Sequence, residues 1–465
     1  MPRPARQPVA ARAQPAAKPG EGAPAQAPKP TQRERLLEAM VELSARGGYQ
    51  AASIAQLSSR AGVSSATFYE QFEGKEDCFV TAYRMVTERV LEQLEPVATD
   101  TVMSDEEWSQ AARAALERLL SAIQRDPDGA RVLYIESMAG GPRMLEERRR
   151  VLEEFEQRAQ GLLDSTPAGG ITLDLPATAL VGATRAIVTR HLRTDAQDEL
   201  PALADDLVAW LEAYAVSAGR ERWSTGRRAL LSAQHARRAS ARGAHARAPQ
   251  RLPRGRHGLP AGVVARSQRT RIIYGTAEVT MAKGYANATV ADIVAAAGVA
   301  RDVFYEHFTD KHHAFLEAQQ HPTQHILDTC AAAYFAAEDW PERVWQGLGT
   351  LIELIVENPA ISHLRLVACY AAGPEAIRRA EEITRSFTIF LEEGYNQRPQ
   401  AQELPRLSSQ AIAGAVFEVV RRHIARGDYA GLRRRLPQLT YIAIAPFTGP
   451  QEAAGLLEEL SARRS

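Results

Sequence analysis

Three histidines, His307, His312 and His313, fall with Glu306 and Asp310 inside eight residues of "YEHFTDKHHAF". Imidazoles and carboxylates so close together raise the possibility of a metal site. However, neighbours 312 and 313 point to different faces of any helix, and the spacing is not that of H-E-x-x-H. A second group suggests different chemistry. Ser64, Ser65 and Thr67 precede Tyr69, Gln71 and Lys75, so hydroxyls and one ammonium lie on a short stretch with small Ala66 among them. Hydroxyls and ammonium groups donate to phosphate oxygens, and small residues let a backbone approach base edges. The segment around them, "AGVSSATFYEQFEGK" (61–75), nearly recurs as "AGVARDVFYEHFTDK" (297–311).

The recurrence extends well beyond these fifteen residues. Gly48–Phe79 aligns without a gap on Gly284–Phe315 at an offset of 236, with 13 of 32 positions identical. At an offset of 232, "RDPDGARVLYIESMAGGP" (125–142) parallels "ENPAISHLRLVACYAAGP" (357–374), and Arg190-His191 parallels Arg422-His423. This is an internal duplication of a whole block. Its periodicity is helical throughout. The reading is an all-α chain of two tandem units, each with a three-helix N-terminal domain and a larger helical domain.

The expected organisation is a basic Pro/Ala-rich disordered tail (1–31), a first small domain (32–95), a first large domain (96–217), an Arg-rich linker (218–268), a second small domain (269–320), a second large domain (321–449) and a C-terminal tail (450–465). The zero net charge hides a segregation. Residues 1–30 carry +4 and residues 218–268 carry +11, so the remainder carries −15. Basic flexible segments joining acidic globules offer sequence-independent attraction to a polyanion, or act as solvated spacers. Three scattered cysteines, Cys78, Cys330 and Cys369, form no disulfide framework and fit a reducing cytoplasm. The amino terminus lacks the apolar region of a secretory signal, and no run is long enough to span a membrane.

Within each small domain, Ser53 with Gln56 forms a capping box, and Thr289 with Asp292 repeats it. Gly62 and Gly298 stand where a turn needs positive φ. Short helices then run to Tyr69 and Tyr305, and Lys75 and Lys311 open longer ones. A helix, a glycine turn and a second helix make a helix-turn-helix, whose second helix enters the DNA major groove. "YQAASIAQLSSRAGVSSATFYEQFEGKEDCF" resembles the N-terminal domain of the tetracycline-repressor (TetR) family of bacterial transcriptional regulators, and "YANATVADIVAAAGVARDVFYEHFTDKHHAF" resembles it too. The resemblance implies a sequence-specific, ligand-responsive repressor with a pocket in each larger domain. By position it places Ser53 and Thr289 near phosphate, and Ser64, Ser65, Ala66 and Thr67 on the DNA face. Tyr69 and Tyr305 become phosphate or base contacts, Gln71 and His307 close the reading helices, and Lys75 and Lys311 meet phosphate at a positive helix end.

The second copy departs from this pattern on its presumed DNA face. Ala300, Arg301, Asp302 and Val303 replace Ser64, Ser65, Ala66 and Thr67. A hydroxyl cap is lost, and Asp302 brings an anion towards a polyanion, although it can accept from a cytosine amino group. Either the second unit reads a different half-site, or it serves mainly as a folded partner. If the halves pair within the chain, two unlike reading helices stand about one DNA turn, ~34 Å, apart on a pseudo-palindromic operator. The alternative is two associated chains carrying four such units. The pairing surface is expected in 177–217 and 408–446.

The partners implied are double-stranded DNA and an unidentified small-molecule effector, without a membrane. Trp108, Tyr134, Met138, Trp340, Trp345 and Tyr370 are candidates for lining the pockets. No P-loop, G-x-S-x-G or dinucleotide fingerprint occurs, so neither enzymatic activity nor a cofactor is expected. The rival reading is a helical ligand sensor or scaffold in which only the first unit, or neither, binds DNA.

Overall fold

Residues 29–94, 104–164, 171–217, 259–321 and 323–463 are described by the computed structural model. The expected tail (1–28) and most of the Arg-rich linker (218–258) lie outside them.

The first small domain is α1 (Gln32–Gly47), α2 (Ile54–Ala61) and α3 (Ser65–Gln71), and α4 (Lys75–Leu91) carries it into the larger domain. That domain holds α5 (Asp105–Arg125), α6 (Pro127–Tyr134), α7 (Pro142–Asp164), α8 (Ala177–Arg193) and α9 (Ala204–Glu212). The second half repeats the plan. Its small domain is α10 (Ala261–Lys283), α11 (Val290–Ala297) and α12 (Arg301–His307), followed by α13 (Lys311–Gln320). Its larger domain contains α14 (Thr323–Phe335), α15 (Trp340–Glu357), α16 (Pro359–Leu366), α17 (Pro374–Ser386), α18 (Pro399–Gln402), α19 (Leu407–Ala425), α20 (Tyr429–Arg434), α21 (Leu436–Thr448) and α22 (Pro450–Arg463).

Three expectations need adjusting. The final segment is not a tail: Ala453 and Leu457 on α22 are fully buried, because that helix turns at Gly449 (φ 100°) and packs back on α21. Residues 261–268, counted with the linker, already belong to α10. A short antiparallel ribbon, β1 (Ile171–Leu173) with β2 (Ala215–Ser217), stands beside the helices.

The most extensive helix–helix contact among the described residues is between the halves, where α8 crosses α19. The reason is local. Gly182 and its repeat equivalent Gly414 meet at the crossing. A Cβ on Gly182 would lie 2.5 Å from Cβ of Glu418, and one on Gly414 would lie 2.5 Å from Cβ of Ala186. Glu418 and Ala186 are themselves repeat equivalents, so the crossing is a pseudo-two-fold with unlike chemistry on its two arms. On one arm Arg185 Nη2 meets Glu418 Oε2 at 2.8 Å, and Arg421 also donates to that carboxylate. Salt bridges from Arg193 to Glu381 (2.8 Å) and from Arg422 to Glu156 add to the joint. Tyr214 Oη donates to the Ile442 carbonyl (2.7 Å), and Tyr441 Oη donates to Asp174 (2.8 Å). The buried core is consequently continuous across the first half and much of the second large domain, while the second small domain shares a separate core with α16 and α17.

Gly182→Ala or Gly414→Ala should each destabilise the chain by about 1–3 kcal/mol through overpacking. Glu418→Ala, which strands buried Arg185, should cost about 3–5 kcal/mol. Urea denaturation measures all three, and an unchanged midpoint for Glu418→Ala would refute the buried pair as a stabilising element of the joint.

Candidate nucleic-acid interface and effector cavity

In each small domain a capping box opens the second helix. Ser53 accepts from Gln56 N while Gln56 returns a bond to Ser53 N at 2.9 Å, and Thr289 with Asp292 does the same. Gly62 (φ 64°, ψ 43°) and Gly298 (φ 62°, ψ 42°) end these helices in the left-handed region, where glycine avoids the Cβ penalty. Phe68 and Phe72 lock α3 beneath, with rings 5.6 Å apart at 43°. Phe304 and Phe308 repeat them at 5.7 Å and 41°. The core of the motif is therefore the same in both halves.

The faces above it differ. In the first copy Ser64 caps α3 by accepting from Thr67 N at 3.0 Å, and Ser65 and Ala66 stand exposed beside it. In the second, Ala300 offers no side-chain cap, and Asp302 instead takes the neighbouring Val303 N–H at 3.0 Å. Arg301 lies along Tyr305, its guanidinium carbon 5.8 Å from the ring centre. Tyr69 and Tyr305 are 60% and 49% exposed, each edge-on to the buried phenylalanine before it. Gln71 and His307 are half-buried at the helix ends.

The two lysines are engaged within the protein. Lys75 Nζ donates to the carbonyls of Tyr49 (3.1 Å) and Gln50 (3.3 Å) and stands 4.5 Å from the Tyr49 ring centre. Lys311 holds the carbonyls of Tyr285, Ala286 and Ala288 in the same way, at 3.0–3.2 Å. Burial also lowers the Lys75 pKa. Each ammonium thus clamps the loop ahead of the second helix, which the spacing did not reveal. The histidines separate too. His312 Nδ1 bonds the Tyr285 hydroxyl at 3.0 Å, His313 Nδ1 accepts from Thr309 N at 3.2 Å, and His307 Nε2 is buried without a partner. Among the described residues no group of three metal-ligating side chains stands together.

The larger domains differ more than the small ones. The first opens a cavity of about 580 Å³, walled by Leu116, Leu119, Val151, Phe155, Leu162 and Leu180, with Tyr83, Tyr134, Thr184, Arg148 and Arg185 among its polar groups. The corresponding space in the second is about 50 Å³, narrowed by Phe387, Phe390, Tyr334 and Phe417. Of the six expected lining residues, Tyr134 reaches the first cavity. Trp108 is spent on the Leu162 carbonyl (2.9 Å), and Trp340 packs on Phe447. Tyr370 lines a smaller cleft of about 120 Å³ between the halves. Arg148, Arg185 and Glu418 were not singled out from sequence. The signal available was the repeat itself, which sets Arg148 against Ala380 and Arg185 against Phe417.

Two short, exposed, tyrosine-bearing helices, each set on a glycine turn, define a helix-turn-helix fold in duplicate. The family described as bacterial regulatory proteins, tetR family, matches residues 36–82 and again 272–318. The N-terminal DNA-binding unit of the tetR family is thus matched twice in this chain. A curated relative, the HTH-type transcriptional activator FasR of Mycolicibacterium smegmatis, is 29% identical over 107 residues, which are 23% of this chain and 47% of that protein. The match thus spans about half of the relative's length. Among solved structures, a transcriptional regulator from Rhodococcus sp. Rha1 is 22% identical, covering 40% of this chain and 98% of that one, with a TM-score of 0.34. FadR from Bacillus subtilis, solved in complex with stearoyl-CoA, is 18% identical over the same shares, with a TM-score of 0.33. Among the described residues no helix is long and apolar enough to cross a membrane.

If the lysine clamps hold the helix-turn-helix unit together, Lys75→Met and Lys311→Met should each lower stability by about 1–3 kcal/mol, since partly buried carbonyls lose their donor. A denaturation midpoint that does not move in either variant would mean that the clamp contributes nothing to the fold.

Proposed function

We propose that this chain is a sequence-specific transcriptional repressor whose two unlike helix-turn-helix units read the two halves of a pseudo-palindromic operator, and whose affinity responds to a small molecule in the first large domain. The observation that carries this reading is the pair of exposed tyrosines, Tyr69 and Tyr305. The core does not need them exposed, and they stand at equivalent points on two helices whose other exposed residues differ. A homodimer with one kind of reading helix demands a symmetric site, whereas unlike units joined in one chain are free of that demand. The joint supports pairing within the chain. Two copies of α8 meeting each other would bury Arg185 without Glu418, and two copies of α19 would bury Glu418 without Arg185. The first leaves a buried guanidinium without its carboxylate, whereas the unlike pair gives Arg185 its partner.

Exposed Ser64, Ser65 and Ala66, with half-buried Thr67, form the first reading face, and Arg301 and Asp302 form the second. Ser53 and Thr289 flank phosphate. Lys75 and Lys311 act mainly by fixing the loops that carry this backbone. Repression follows from occupancy, because a protein on a promoter excludes polymerase. FasR is named an activator, so the sign is tested directly. The effector enters the first cavity, the only one of the two with room for it among the described residues.

Gel shifts on the chain's own upstream DNA test the reading. Tyr69→Ala and Tyr305→Ala should each weaken binding at least about tenfold, roughly 1.4 kcal/mol, with unchanged melting. Full affinity in Tyr305→Ala would assign the second unit to support alone, and absence of binding by the unmodified chain would leave a scaffold. In run-off transcription from the same promoter the protein should lower transcript yield, and a rise would overturn repression.

A further inference from the structure

The first cavity has apolar walls but ends in charge that the protein itself does not balance. Arg148 on α7 is 7% exposed and lines the cavity, and no carboxylate forms an ion pair with it among the described residues. Arg185 also lines the cavity, on the far side of the same cluster, and is paired with Glu418. Arg421 shares that one carboxylate. Four guanidiniums therefore crowd a single buried anion, Arg148, Arg185, Arg421 and Arg422, the last of them also paired with Glu156. Burial and the two neighbouring arginines push the Arg148 pKa down to about 9, a sign of how poorly its charge is compensated. Burying an unpaired charge costs several kcal/mol, and a protein that retains one generally has a partner for it.

The repeat provides an internal control. In the second half Arg148 is matched by Ala380, Arg185 by Phe417 and Thr184 by Val416, and there the cavity has closed to about 50 Å³. Open space and buried guanidiniums line the first cavity together, and both are missing from the lining of its counterpart in the second half. Tyr83 and Tyr134 stand near the same guanidiniums, and burial raises the pKa of each, so their hydroxyls remain donors.

We propose that the first cavity takes an amphiphile with an anionic head, an alkyl carboxylate in the simplest case, whose head pairs with Arg148 at the buried end while its chain lies along Leu116, Leu119, Val151 and Phe155. This rests on reading the cavity as the effector site and adds which end of the ligand goes in first. A carboxylate presents two acceptors to the planar guanidinium fork, and an apolar chain of about ten carbons suits the walls. The head would then sit beside Arg185, the residue that joins the halves through Glu418.

The experiment is calorimetric titration of the full chain with decanoate, decan-1-ol and decyltrimethylammonium, all below their micelle thresholds. Decanoate should bind at least tenfold more tightly than the alcohol, and the cation should not bind. Arg148→Met keeps the volume and removes a buried charge, so it should fold. It should bring decanoate down to within about threefold of the alcohol while leaving alcohol binding unchanged. Equal binding of acid and alcohol by the unmodified chain would overturn the head-group assignment and leave the cavity reading intact. If none of the three binds, and the unmodified chain melts no differently with decanoate than without it, both readings fall.

Discussion

The rest of the molecule depends on one contact, the crossing of α8 and α19 with glycine against glycine and Arg185 against Glu418. Two backbones approach closely only where no Cβ intervenes, and Gly182 and Gly414 provide that gap once on each helix. Close approach removes water from the arms of the crossing, so a charge placed there must find its opposite. The first half supplies the cation and the second supplies the anion. The result is a joint that accepts its unlike partner and penalises its own copy, which allows a duplicated unit to behave as a pair rather than as two independent modules.

The two helix-turn-helix units show how a fold tolerates divergence. The phenylalanine pairs beneath their second helices repeat in distance and angle, and their glycine turns share φ and ψ to within two degrees. All of that is buried or conformationally demanding. The exposed first turn of that second helix carries little of the fold, and there four consecutive residues differ. The lost Ser64 cap is partly offset by Asp302, which satisfies one backbone N–H by a different route. Core and turn set where each helix sits, and its surface sets what it meets.

The large domains diverged in the interior instead. Replacing Arg185 by Phe417 and Arg148 by Ala380 exchanged charge for ring and methyl, and the neighbouring Phe387 and Phe390 closed the remaining space. The second large domain became core, and much of it is shared in a single hydrophobic cluster with the first half. The first retained a void. Interiors pack to near-crystalline density, so a void of this size is a feature that the surrounding helices have to be arranged to keep open.

Much was already determined by the linear sequence. Helical periodicity, capping residues, glycine turns and the self-similarity at offsets of 236 and 232 are local properties, and they marked two helix-turn-helix units, their exposed tyrosines and the segments that pair. Tertiary structure decided what depends on distance between residues remote in the chain. It turned Lys75 and Lys311 inward onto loop carbonyls, sent three neighbouring histidines to three different environments, folded the last segment back as a helix, and gathered Arg148, Arg185, Glu418 and Arg421 from three helices into one buried cluster. Periodicity tells which side of a helix is apolar, but not which helix will lie against it. Only the packed arrangement determines which charges are left facing an empty space.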